Sequence, residues 1–173
     1  MKIELRNVKV AAFASEETTC FQATIYVDGK RCGTARNDGH GGCTWIEPQE
    51  LRVRINSYAQ TLPDKVSPTL RNPHDESLPF SYAQDAESLI DDALHAHLVT
   101  GDLKRLMKRA VVFTKPDGRL YQVKPRASID EWLRTAGHES RRVETLTRLG
   151  ALQVLNWLPF DRALAVYLAA TAN

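Results

Sequence analysis

Phe21-Gln22-Ala23-Thr24-Ile25-Tyr26-Val27-Asp28-Gly29 decides the fold class. Its odd positions, Phe21, Ala23, Ile25 and Val27, are apolar, while Gln22, Thr24 and Tyr26 face the other way. That is the two-residue period of a strand with one covered face. Asp28-Gly29 follows at once. Asp-Gly between strand-like runs favours a type I′ turn, which needs positive φ at both central residues. The return strand reads as Arg31 to Arg36. Residues 2–12 read as a strand before this hairpin and Cys43-Thr44-Trp45-Ile46 as a short one after it. The first 46 residues are thus expected to form an antiparallel meander with Asn37-Asp38-Gly39-His40-Gly41-Gly42 as the loop at one end.

Downstream, the pattern turns helical. Pro48 suits the first position of a helix running through Tyr58. Residues 63–80 hold four prolines and little apolar content. They read as a long excursion or flexible loop, and as the place where a single domain over 1–173 would divide into subdomains. A helix is expected over 82–99, with a stripe of Leu89, Ile90, Ala93, Leu94 and Leu98 and a capping box at Ser81 and Gln84. Thr100-Gly101-Asp102 is expected to end it and to cap a second helix, 103–109. That helix carries Lys104, Arg105, Lys108 and Arg109 outward and Leu103, Leu106 and Met107 inward. Val111–Thr114 and Leu120–Val123 flank Pro116-Asp117-Gly118 as a second hairpin. Ser128 to Glu131 is a capping box opening a helix through Arg134. Residues 139–149 read as helical, and Pro159 starts a last helix, 160–170. The fold class is α+β: a small antiparallel N-terminal sheet packed against helices, with a second β-hairpin and C-terminal helices.

Bulk properties narrow the classes. At 173 residues and 19.4 kDa, with 43% hydrophobic and 25% charged residues, the chain can bury a core without staples. No apolar run approaches the ~20 residues that span a bilayer. The start, Met1-Lys2-Ile3-Glu4-Leu5-Arg6, lacks the apolar stretch of a signal peptide, so no membrane partner and a cytoplasmic location are expected. Cys20, Cys32 and Cys43 match no zinc spacing and read as free, mostly buried thiols. The net charge of +2 hides an asymmetry. Residues 74–100 carry six acids and no Lys or Arg, whereas 101–150 carry twelve Lys/Arg against six acids. Such a split suits either partner steering or internal pairing.

Few residues point to chemistry. The 37–42 loop can cradle an anion on consecutive N–H groups, which makes Asn37, Asp38 and His40 candidate binding residues. Phosphate fingerprints, however, set their glycines ahead of a helix. Here they precede a strand, so a structural turn or bulge is favoured. His40 has the pKa range of a general base, but no nucleophile or orienting group accompanies it in sequence. His95 and His97, two residues apart on a helix, point roughly 200° apart and cannot share one ion, whereas Asp91 and His95, at i and i+4, can meet on the solvated face as an ordinary surface contact. His97 reads as a half-buried packing residue. Strand-borne cysteines lack the helix N-terminus or cation that activates a thiol. The basic 101–126 region, with Lys104, Arg105, Lys108 and Arg109 and the aromatics Phe113 and Tyr121, can contact nucleic acid. The favoured alternative is a solvated face pairing with acids of the preceding helix. Trp45, Trp132 and Trp157 are expected in the core, and an exposed one would mark a contact site. No catalytic residue, metal or cofactor is assigned.

Met1 to Phe13, the run YVDGK…GTARNDGHGG at 26–42, DAESLIDDAL at 85–94, VVFT at 111–114 and VLNWLPFDRALAVY at 154–167 resemble a family of small uncharacterised proteins of phage and other bacterial mobile elements. The resemblance implies a setting in which accessory proteins inhibit host defence, as anti-CRISPR proteins do. The charge is far from that of a DNA mimic, so inhibition would work by protein–protein contact. The expected function is therefore a non-enzymatic protein binding a bacterial host protein or defence complex. The alternatives are a nucleic-acid-binding accessory protein using 101–126 and a small hydrolase using the 37–42 loop.

Overall fold

The computed structural model describes residues 1–126, 128–134 and 139–171. The chain forms two compact units, Met1–His97 and Leu98–Asn173. The proline-rich 63–80 segment lies inside the first.

The first unit opens with an antiparallel sheet in the order β1-β2-β3-β4: Ile3–Val10, Phe21–Val27, Lys30–Asn37 and Trp45–Glu47. Phe21, Ala23, Ile25 and Val27 are all buried, as the alternation requires. Asp28 and Gly29 have φ of 49° and 79°, the two positive values of the type I′ turn. Pairing shifts between Ile25↔Gly33 and Tyr26↔Arg31, which leaves Cys32 as the extra residue of a bulge. A Cβ at Gly33 would lie 2.0 Å from the Glu47 carbonyl oxygen and 2.6 Å from Leu51 Cδ2. Only glycine lets the next segment sit this close. Helix α1 (Gln49–Ala59) lies there, burying Leu51, Ile55 and Ala59. Pro48 is the residue before this helix, one position earlier than its sequence suggests.

The expected loop at 63–80 is instead a hairpin, β5 (Lys65–Asn72) and β6 (Asp75–Tyr82). Proline is tolerated because a two-stranded sheet is all edge and many N–H groups have no ladder partner to lose. The pairing is correspondingly irregular between Val66 and Arg71.

Helix α2 (Ala86–Met107) is continuous through Thr100-Gly101-Asp102, where a break was expected. A helical glycine costs only about 1 kcal/mol, and the fully buried Leu103 beyond it outweighs that. The helix is capped by Asp85, not by Ser81, which lies in β6. Ser88 N–H donates to Asp85 Oδ1 at 2.8 Å, and Asp85 N–H donates to Ser88 Oγ at 3.0 Å, a reciprocal box. His97 is exposed rather than half-buried: it follows Ile90 by seven residues on the same face of the helix, but the buried stripe of Ala86, Ile90 and Leu94 ends at Leu94.

The second unit is layered. Strands β7 (Val111–Thr114) and β8 (Leu120–Val123) form the expected hairpin. Helices α3 (Ile129–Arg134) and α4 (Glu139–Arg148) follow, then β9 (Gln153–Val154) and α5 (Phe160–Thr171). The sheet order is β8-β7-β9. β7 is buried on both faces. Val111 and Phe113 pack with Ile129, Leu146 and Val154, and Val112 packs with Leu103, Leu155 and Ala163. Asn156 stitches the middle: its Oδ1 accepts from Val112 N–H at 2.7 Å, and its Nδ2 donates to the Met107 and Ala110 carbonyls at 3.0 and 3.1 Å.

Two core expectations are corrected. Trp45 and Trp157 are 53% and 51% exposed, whereas Trp132 packs on a core cluster. Cys20 and Cys32 are half-buried and Cys43 is exposed. In β4 the buried position is Ile46, so Trp45 faces the other way; in the 3₁₀ turn Leu155–Trp157 it is Leu155 that is buried; and Cys32 is the extra residue of the bulge. No described helix is long and apolar enough to cross a membrane.

Candidate functional site

The 37–42 loop is built around the side chain of Asn37, which is 4% exposed. Its Oδ1 accepts from Gly39 N–H and from Thr18 Oγ1, both at 2.8 Å. Its Nδ2 donates to the Gly42 carbonyl at 2.8 Å and to Thr44 Oγ1 at 3.4 Å. The amide thus closes a short Asx turn and ties it to the 15–19 segment. The Gly39 carbonyl is a second knot, accepting from the N–H groups of Glu16, Glu17 and Thr18 at 3.0, 3.1 and 3.3 Å. Gly39 itself has φ of 90°, and a Cβ would lie 2.0 Å from the Ala14 carbonyl oxygen. Here glycine is required twice over, by backbone angle and by space.

Asn37 is therefore occupied inside the protein and has no side-chain polar group left for a ligand. Asp38 and His40 point outward. Asp38 faces Arg36 at 3.8 Å. His40 Nδ1 lies 3.0 Å from Glu16 Oε2, with the two side chains 63% and 67% exposed. A histidine beside a carboxylate has the base-and-orienter arrangement, but in this degree of solvent the pair is screened. The loop continues into a contact that the sequence conceals. Buried Thr44 donates its N–H to Glu87 Oε1 at 2.6 Å and its hydroxyl to Asp91 Oδ1 at 3.3 Å. Partial desolvation of Asp91, reinforced by the charge of Glu87, raises its pKa above the usual aspartate value, and the Thr44 hydrogen bond opposes the rise. Lys65 pairs with the neighbouring Asp92.

The remaining predicted residues, Lys104, Arg105, Lys108 and Arg109, belong to the second unit. All four are exposed. They do not act alike. Lys104 Nζ sits 5.0 Å from the Phe160 ring centroid, a cation–π contact. Arg105 pairs with Asp102 one turn earlier. Arg105 and Arg109 line a cleft of about 460 Å³ together with Asp102, Leu106, Gln122, Lys124 and Tyr167. Lys104 and Lys108 do not. Lys124 falls within the basic 101–126 region without having been singled out, whereas Tyr167, far along the chain, was not anticipated. The local signal for Lys124 is the alternation of Gln122, Lys124 and Arg126 on the polar side of a strand leaving the second hairpin. Among the described residues, no three His, Cys, Asp or Glu side chains are grouped to hold a metal.

Comparison with protein-family models, with curated proteins and with solved structures finds no match for this chain. The two regions are a loop pinned from within and a cationic cleft.

Proposed function

We propose that this chain is a non-enzymatic protein-binding protein, acting through the exterior of its first unit. The observation that carries this reading is the β5–β6 hairpin. Val66, Leu70 and Leu78 are 56%, 59% and 52% exposed, and Tyr82, stacked on Phe80 at 6.1 Å, is 37% exposed. A hairpin of two strands is marginal alone in water, and apolar side chains displayed along one are of the kind that a partner covers. Phe13 at 94% and Trp45 at 53% exposure add aromatic groups of the sort that anchor interfaces. The resemblance in sequence to phage and mobile-element proteins supplies the partner class, a bacterial defence complex of the CRISPR type.

Purified CRISPR effector complexes passed over the immobilised full chain test this. The expected result is a stoichiometric complex that Leu70→Asp/Leu78→Asp abolishes while the circular dichroism spectrum and melting temperature stay unchanged. Failure of every such complex to bind, or capture indifferent to the double substitution, overturns the reading.

A further inference from the structure

We propose that the second unit holds a binding cleft for a nucleotide, between the last turn of α2, the exit of β8 and α5. This inference does not rest on the protein-binding reading, which concerns the other unit.

Three cations from two separate stretches of chain converge on the cleft. Arg105 lies in the last turn of α2, Arg109 just beyond it, and Lys124 just beyond β8. Asp102 is the one acid lining the cleft, and Arg105 already pairs with it. Among the described residues, Arg109 and Lys124 have no carboxylate within ion-pairing distance, so two positive charges are left facing the same space without compensation. The negative end of a helix dipole favours cations near a C-terminus. That accounts for Arg105, but not for Lys124, which a strand delivers from elsewhere in the sequence. Like charges gathered without a partner raise the energy of the empty cleft, and an anion entering it relieves the repulsion.

The floor limits which anion. Leu106 and Tyr167 are partly buried and belong to the apolar cluster around Leu103, Val112, Leu155 and Ala163. Gln122 pairs in register with Val112 and so stands on the same sheet face, at its rim, with an exposed amide. The cleft thus offers an aromatic ring, an aliphatic wall, an amide able both to donate and to accept, and a cationic mouth. Its volume of about 460 Å³ lies in the range of small-molecule sites. A bare phosphate would leave the ring and the amide unused. A base, sugar and phosphate together use all of them: stacking on Tyr167, hydrogen bonding to Gln122, and charge pairing with Arg109 and Lys124. Such a nucleotide can be free or one unit of a single strand.

The test titrates the full chain at low salt with ADP, inorganic pyrophosphate and a short fluorescent oligothymidylate. Saturable binding of ADP, of the oligothymidylate, or of both is expected. ADP alone identifies a free nucleotide and the oligomer alone a strand. Arg109→Glu/Lys124→Glu should weaken binding by about 100-fold, as loss of two charge-assisted contacts predicts. Lys30→Glu/Arg71→Glu, with the same change in charge but placed in the first unit, should leave it within about threefold. Tyr167→Leu should weaken ADP while pyrophosphate is unaffected. Melting curves of each variant confirm that the fold persists. No binding of any probe at millimolar concentration overturns the proposal. So does equal loss in the distal control, or pyrophosphate binding as tightly as ADP.

Discussion

Replacing Asn37 with alanine tests whether the glycine-rich loop is held from inside. The substitution removes three hydrogen bonds of 2.8 Å, to Thr18, Gly39 and Gly42. Each is worth about 0.5–1.5 kcal/mol net, and the buried Gly39 N–H is then left without its acceptor, which adds a desolvation cost. The expected loss is about 2–4 kcal/mol, or roughly 5–15 °C in melting temperature for a chain of this size. Equilibrium urea unfolding followed by far-ultraviolet circular dichroism reads it. Asp38→Ala is the control. Its side chain is 70% exposed and faces Arg36 only at 3.8 Å, so it should change stability by less than about 0.5 kcal/mol. Thr18→Val should couple to Asn37→Ala by about 1 kcal/mol in a double-mutant cycle, since the two share a hydrogen bond. A loss below about 1 kcal/mol for Asn37→Ala, or equal losses at positions 37 and 38, would show that the amide does not organise the loop.

Two neighbouring glycines should behave oppositely in the same assay. Gly39→Ala meets both a φ of 90° and the Ala14 carbonyl, whereas a Cβ at Gly42 has nothing within 4 Å; the first should cost at least about 2 kcal/mol and the second under about 0.5 kcal/mol. Gly101→Ala should stabilise the chain by about 0.5–1 kcal/mol, because the residue is helical and its Cβ would enter open space. Asp91→Asn should raise the melting temperature at neutral pH. The folded-state pKa is raised, so ionisation of Asp91 weighs against the fold above that pKa and ceases to do so as pH falls through it. The gain should therefore shrink as the solution is acidified into the carboxyl range, and an NMR titration of Asp91 should show a midpoint above 3.8, its ordinary value.

What the sequence disclosed follows the range of the interactions that hold each part. The first hairpin was legible because its causes are local: an alternation within Phe21–Val27 and a two-residue turn whose φ values the Asp-Gly pair prefers. The second hairpin and the Ser128 cap are of the same kind, with Glu131 N–H donating to Ser128 Oγ at 3.2 Å. Legibility fails where a distant contact overrides a local preference. Gly101 should stop a helix, and burial of Leu103 carries the helix past it. Prolines at 63–80 should prevent strands, but edges without full ladders admit them. The role of Asn37 was hidden because its acceptor and donor partners include Thr18, nineteen residues away. That Lys124 and Tyr167 meet was hidden for the same reason: the packing of a strand exit and the last helix beside α2 puts them at one cleft.

The knot at Gly39 makes two stretches of chain into one inheritable block. Three amides of residues 16–18 close on a single oxygen of the other stretch. Neither stretch can then gain or lose a residue alone without opening the junction. Anyone grafting this loop onto another scaffold, or splicing a tag into it, must move residues 12–18 and 37–44 as a pair. The same holds for natural variation: length changes here should occur in both stretches together or in neither.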